Sequence, residues 1–523
     1  MVNGTFLIFL TMTEYKIGDR LQVEDDICTV KFIGKIESWP TEVALGVEWD
    51  NAERGRHSGE INGKVYFVTS KPGAGSFLKL SKVQRIPRFT FLEALRDAYG
   101  SSEMIDDNLY IGGKKIENFG FERLNALNSN YESLKSVSLV KKSINRAFGS
   151  TDDSKVMAQS LKNVQSLDLG YNLFSTFAHI CDLLDNLRSL TAVNISGNKI
   201  DDLDSHVLHG GRTYPRIKEL YVVNCNLSSR VLKELFKIFP SVEILDASGN
   251  DLSELTGQDL EGVPQSLREL RLSNTGLTCI PPAILKSKVE TLDLSDNFVA
   301  SLPDGVEIVS DVRVLNLSHN SITQWDIIDQ INVTFPNLSS LNIEGNPAFT
   351  QSQGKWDSDR DTVWFLNTLA RFDNLKRLNG TILSENDRVE AETYFVSQII
   401  QGQATYDRNL RRWSYLDKKY GIERAMQRQQ QRSLPRDKWI NKVIVELTFL
   451  SKKHGNELFK SKFLRTSTVR YVKGFVASKL GADIFEIRLH RCVGDKVFEE
   501  LEREFSQIRD MHLDDGDSIF VEV

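Results

Sequence analysis

The stretch Val289-Glu290-Thr291-Leu292-Asp293-Leu294-Ser295-Asp296-Asn297 decides the fold, because its spacing of apolar residues and its closing Asn return along the middle of the chain. The other copies read Val164-Leu167-Leu169-Asn172, Leu190-Val193-Ile195-Asn198, Ile217-Leu220-Val222-Cys225 and Val242-Leu245-Ala247-Asn250, then Leu267-Leu270-Leu272-Thr275, Val312-Leu315-Leu317-Asn320 and Leu338-Leu341-Ile343-Asn346. Successive closing positions lie 22 to 27 residues apart, a period that marks a stacked array. A weaker first copy, Leu134-Val137-Leu139, carries Lys142 in the closing slot. In a short strand alternate residues face opposite sides, so the paired apolar residues turn inward, and the Asn side chain satisfies backbone groups where the chain leaves the strand. Cys225 and Thr275 fill the Asn slot and read as structural substitutes, not as a nucleophile or a ligand. After the last copy, Trp364-Phe365-Leu366, Leu369 and Phe372 fall at helical spacing before Leu375-Lys376-Arg377-Leu378-Asn379-Gly380, a cap that closes the apolar end of a stack.

This is the pattern of an α/β leucine-rich-repeat solenoid, placed at residues 134–398 with its C-terminal cap. The strand residue between the two leucines faces the concave sheet, which makes Asp168, Asn194, Tyr221, Asp246, Arg271 and Asp293 candidate binding residues, with Asn316 and Asn342 continuing the row. The row is polar and mildly acidic, and it suits either a protein ligand or plain solvation. Asn194, Asn226, Asn316 and Asn337 each open a glycosylation sequon, a match that Asn- and Ser-rich repeats produce by chance.

At 523 residues the chain is too long for one core and is expected to form roughly three domains. Its 40% hydrophobic and 26% charged residues are ordinary for a soluble protein, and a net charge of −6 disfavours a general nucleic-acid binder. Five scattered cysteines, Cys28, Cys181, Cys225, Cys279 and Cys492, show neither a disulfide framework nor a zinc spacing. The apolar run Phe6-Leu7-Ile8-Phe9-Leu10 lacks a preceding basic residue and is far short of the roughly 20 residues a membrane span needs. Residues 1–13 therefore read as an N-terminal extension, with Met12 as an alternative start.

Residues 14–90 read as short β segments broken by Gly and Pro, a small all-β barrel. The pieces Ile17-Gly18-Asp19-Arg20, Gly46-Val47-Glu48-Trp49-Asp50, Gly55-Arg56-His57-Ser58-Gly59, Gly63-Lys64-Val65-Tyr66-Phe67 and Gly75-Ser76-Phe77-Leu78 resemble, in order and spacing, the CAP-Gly domain. That resemblance implies a groove for an extended acidic peptide ending in an aromatic residue, lined by Trp49, Gly55, Arg56, His57, Ser58, Gly59, Phe67 and Phe77. The family loop is usually GKNDG; here it is GRHSG, with His57 in place of an amide and Ser58 in place of an acid, and its glycines are expected to leave the backbone open to the ligand. Charge supports an anionic ligand independently. Residues 14–53 hold ten acidic and four basic side chains, residues 54–88 eight basic and one acidic, and Arg54, Arg56, Lys64, Lys71, Lys79 and Lys82 could steer such a tail.

Residues 91–133 are left as a connector. Residues 399–438 are charged and helical, with Leu410, Trp413, Leu416 and Tyr420, and read as a linker that partly packs on the solenoid. Residues 439–523 run from Val443-Ile444-Val445-Glu446-Leu447-Thr448-Phe449 to Ser518-Ile519-Phe520-Val521-Glu522-Val523. Strands, a helix and returning strands here resemble the ubiquitin-like α+β β-grasp fold, and without a Gly-Gly end a docking module is expected, not a conjugated one. No phosphate-binding loop exists, since Gly112-Gly113-Lys114-Lys115 lacks the spacing, and neither GxSxG nor HExxH occurs. The chain reads as non-enzymatic, with no cofactor, no metal and no membrane or nucleic-acid partner.

The order barrel, solenoid, ubiquitin-like domain resembles the tubulin-folding cofactor E family over almost the whole chain. The resemblance implies capture of α-tubulin, and action on the αβ-tubulin heterodimer with tubulin cofactors D, C and B and a small Arf-like GTPase, in the cytoplasm and at the cytoskeleton. The alternatives are a CAP-Gly linker on microtubules and a ubiquitin-like adaptor to the proteasome.

Overall fold

The computed structural model describes residues 15–83, 88–100, 110–111, 114–115, 131–200, 211–255, 262–303, 308–350, 358–432, 444–493, 497–511 and 513–523. The extension at 1–13, most of the connector and the end of the linker at 433–438 lie outside them. The chain divides into two compact units, Met1–Ile322 with Ile343–Asn346, and Thr323–Asn342 with Pro347–Val523.

In the first unit, β1 (Arg20–Val23), β2 (Asp26–Ile36), β3 (Trp39–Trp49) and β4 (Gly75–Lys79) form an antiparallel sheet in that order. Long strands alternate their side chains, so Leu21, Cys28, Val30, Leu45, Val47 and Trp49 meet on one face with Tyr15, Leu80 and Val83 as the barrel core. Tyr15 closes the bottom by donating its hydroxyl to the Val83 carbonyl at 3.1 Å.

The chain emerging from the barrel does not stay a connector. β5 (Phe89–Thr90) pairs in parallel with β6 (Ile144–Arg146), and α1 (Phe91–Tyr99) follows. A capping box between Thr90 and Glu93 starts this helix, and Phe91, Leu92, Ala94 and Leu95 are buried. The Tyr99 hydroxyl accepts the Ser138 amide at 2.9 Å on the edge strand. Residues 89–99 thus cap the N-terminal end of the repeats, which is why an apolar helix stands where sequence pattern shows only a link between domains.

Eight parallel three-residue strands carry the repeats of this unit, from Ser136–Ser138 to Val314–Asn316. Their register never slips: Leu167, Val193, Leu220, Leu245, Leu270, Leu292 and Leu315 stand directly beside one another. The Asn slots explain that regularity. Asn297 accepts the amides of Thr275 and Leu277 and donates to the carbonyls of Leu272 and Leu294, stitching two turns together. Asn172 and Asn250 do the same one or more turns away. Where the slot holds Cys225 or Thr275, the amides of Ile200 and Leu252 turn to the backbone carbonyls of those residues instead, and the Thr275 hydroxyl donates to Leu272 at 2.8 Å.

In the second unit, α2 (Ser358–Arg371) and α3 (Glu385–Ile400) pack together, and the linker helix α4 (Arg411–Tyr420) seats Trp413, Leu416 and Tyr420 in the interior. A buried charge cluster fixes it: Glu392 receives Arg412 at 2.7 Å, Lys419 at 2.6 Å and the Tyr420 hydroxyl at 2.7 Å. Burial alone would raise the Glu392 pKa, but these donors hold it below the usual carboxylate range. Beyond it, β7 (Ile444–Ser451), β8 (Glu457–Leu464), α5 (Val469–Leu480), β9 (Arg488–Val493), β10 (Val497–Glu500) and β11 (Ser518–Glu522) make a five-stranded sheet in the order β8-β7-β11-β9-β10. β7 and β11 are parallel and the other pairings antiparallel. Val472 and Val476 of α5 meet Val445, Leu447 and Phe449 in one core, the β-grasp arrangement.

Candidate peptide-binding site

The groove is built where β4 crosses the loop at 55–59. Gly55 presses against the segment leading into β4 so closely that a Cβ there would lie 2.0 Å from the Gly73 carbonyl oxygen. Gly59 has φ +103°, and its Cβ would meet the Phe67 carbonyl oxygen at 2.0 Å. The amides of Arg56 and His57 donate to the Gly75 carbonyl at 2.8 and 3.2 Å. The Gly59 amide donates to His57 Nδ1 at 3.0 Å. The Gly55 amide donates to the Ala52 carbonyl at 3.0 Å. The expected open backbone is therefore corrected in part: four of the five loop amides are already used, and the glycines serve close packing. Of the loop amides only that of Ser58 is left, so ligand donors come mainly from side chains.

Those side chains are available. Arg56 and Ser58 are exposed. Because Nδ1 of His57 accepts a backbone amide, its ring proton sits on Nε2, and partial burial lowers its pKa below the usual imidazole range despite Glu60. The floor is aromatic. Phe77 has Phe67, Tyr66 and His57 at ring separations of 5.4, 5.5 and 5.1 Å, and Phe32 meets Tyr66 at 5.4 Å. Trp49 is 3% exposed, and its indole Nε1–H has no partner among the described residues. Above Trp49 lies the Arg54 guanidinium, 4.3 Å from the ring, held by Asp26 and by Glu24 at 2.8 Å. The cleft, about 420 Å³, is lined by Trp39, Trp49, Arg54, Arg56, His57 and Phe77 among others.

The structure brings Trp49, Arg56, His57 and Phe77 together, with Gly55, Ser58, Gly59 and Phe67 shaping the loop and floor. Of the six cations read from sequence, Arg54, Lys64 and Lys79 are in ion pairs with Asp26, Glu37 and Glu42. Arg56 has no carboxylate partner among the described residues. Phe32, Tyr66 and Trp39 are not among the site residues expected from sequence, although Tyr66 stands in one of the matching pieces; the available signal is a half-buried aromatic.

A CAP-Gly domain family matches residues 17–83. Protein PAC2 of Saccharomyces cerevisiae is 35% identical over 514 residues, spanning 97% of this chain and 96% of the yeast protein. Tubulin-specific chaperone E of Xenopus laevis is 26% identical, spanning 96% of this chain and 97% of its own, and that of Bos taurus is 27% identical over 98% and 99%. The chain belongs to the tubulin-specific chaperone E family.

In this member of the tubulin-specific chaperone E family the second candidate surface is one continuous row, since Asp168, Asn194, Tyr221, Asp246, Arg271 and Asp293 are direct neighbours on adjacent strands. Four of them also have structural work. Asp168, Asn194, Asp246 and Asp293 each accept the amide two residues on, at 2.9 to 3.1 Å, turning the chain out of its strand. Arg271 pairs with Glu269 and with Asp246 at 3.6 Å, and Tyr221 donates to Glu219 at 3.2 Å. The row thus has an explanation within the fold. Among the described residues no helix is long and apolar enough to cross a membrane.

Proposed function

We propose that this chain is a tubulin-folding cofactor that holds α-tubulin by its acidic C-terminal tail in the barrel groove while the solenoid meets the folded body. With tubulin cofactors D, C and B as partners in the cytoplasm, it assembles or dissociates the αβ-tubulin heterodimer. The reading is carried by one observation: a groove with an aromatic floor and the unpartnered Arg56, in a chain that matches relatives named tubulin-specific chaperone E almost end to end. Acidic side chains of the tail would meet Arg56 and the His57 Nε2–H, and an aromatic end would stack on Phe77 and Tyr66. No bond is made or broken; binding energy alone does the work.

Pull-down of α-tubulin by purified chain tests it. Arg56→Glu reverses the free cation and should reduce capture at least tenfold, since the contact to a carboxylate turns from attraction to repulsion. Undiminished capture removes the groove from the account. A lattice linker is the second reading, and co-sedimentation separates it: a cofactor lowers polymer mass or binds free dimer, whereas a linker pellets with intact polymer. Docking of the ubiquitin-like domain to the proteasome would be lost on truncation before Trp439 while tubulin capture persisted.

A further inference from the structure

The barrel and the repeats are joined by more than the chain. Arg20 is 2% exposed although it lies on the first strand of the barrel. Its guanidinium donates both ways to Asp50, at 3.1 and 2.5 Å, and reaches the Gly197 carbonyl of the repeats at 3.4 Å. Lys199 approaches the same Asp50 carboxylate from the repeats at 3.0 Å. Burial by itself would raise the Asp50 pKa, but Arg20 and Lys199 hold it below the usual carboxylate range. A second contact lies alongside, where the Ser143 hydroxyl donates to Gln22 at 2.9 Å. Only four residues separate Val83, in the barrel core, from Arg88, whose neighbour Phe89 already pairs with the repeats. Asp50 is also the residue after Trp49, the groove wall.

We infer that Arg20, Asp50 and Lys199 are positioning residues that clamp the groove to the repeats, so that an acidic tail and the globule it hangs from are met as one bipartite ligand by one rigid body. This rests on the tail-binding reading above. Two contacts held at a fixed separation act through a high effective concentration, and a barrel free to swing on its tether loses that gain. The clamp is electrostatically asymmetric: one carboxylate serves two cations, one from each side. Reversing Lys199 therefore sets two carboxylates against each other without touching the groove.

The test uses the full chain with Lys199→Glu, and Lys199→Ala as a milder companion, against two probes: a synthetic acidic α-tubulin tail peptide and intact tubulin heterodimer. Peptide affinity should stay within about twofold of wild type, while heterodimer affinity should fall roughly tenfold or more for Lys199→Glu. Hydrogen exchange around β1 and Gly197 should rise with thermal unfolding of the repeats unchanged. Heterodimer affinity that is unmoved while exchange rises overturns the clamp. A fall in peptide affinity equal to that for heterodimer also overturns it, because the residue would then be acting on the groove. Wild-type chain that binds heterodimer but not the peptide overturns the tail reading itself, and the inference with it.

Discussion

At Gly55 the φ angle is an ordinary −69°, so the glycine is required for space and not for backbone freedom. A methyl group there would overlap the Gly73 carbonyl and the Ala74 backbone, and neither can yield without moving β4. Gly55→Ala is expected to cost about 1–3 kcal/mol of barrel stability, read as a lowered denaturation midpoint, and to weaken tail-peptide binding as the loop lifts from the groove. Unaltered stability and binding would mean that the loop is not seated as described. Position 56 illustrates a different kind of residue. Arg56 makes no ion pair in the described fold, so Arg56→Glu should change binding far more than stability. The loop motif is legible in the sequence because its glycines and its cation recur at fixed spacing. The orphaned Trp49 indole is not legible, since a missing partner is a property of the packed neighbourhood.

At the level of elements, the repeat strand is only three residues long and could not hold a register alone. The buried Asn side chains supply what the strand lacks. Asn297 is 4% exposed and serves two amides and two carbonyls of adjacent turns. Asn297→Ala leaves those groups buried and unpaired, at an expected cost of about 3 kcal/mol. Chemical denaturation checks it, and a loss below about 0.5 kcal/mol would show that water or rearranged backbone replaces the ladder. Strand positions, the inward leucines and the closing Asn follow directly from the period, because each inward site repeats a single local environment. The N-terminal cap does not, since its partners lie far along the chain: Tyr99 of α1 meets Ser138, 39 positions on, and Phe89 of β5 pairs with Ile144. The concave row shows the opposite limit: its position is legible, but the turn-forming role of Asp168, Asn194, Asp246 and Asp293 emerges only from geometry.

For the whole molecule, the three-module order is the part the sequence carries best, since each module has its own period: mixed short strands, a repeat of 22 to 27 residues, and a final β-grasp pattern. What no local pattern carries is how the barrel joins the repeats, because Arg20 and Gly197 are 177 positions apart and neither is unusual where it stands. The central proposal is that the acidic tail of α-tubulin is gripped by the barrel while the rest of the subunit is held nearby. The most direct measurement is the dissociation constant of the full chain for tubulin heterodimer with and without the α-tubulin tail, at low and physiological salt. Removal of the tail should weaken binding at least tenfold, and the difference should shrink as salt rises, because charged contacts are screened. Equal affinity for intact and tail-less heterodimer at both salt concentrations would contradict the account.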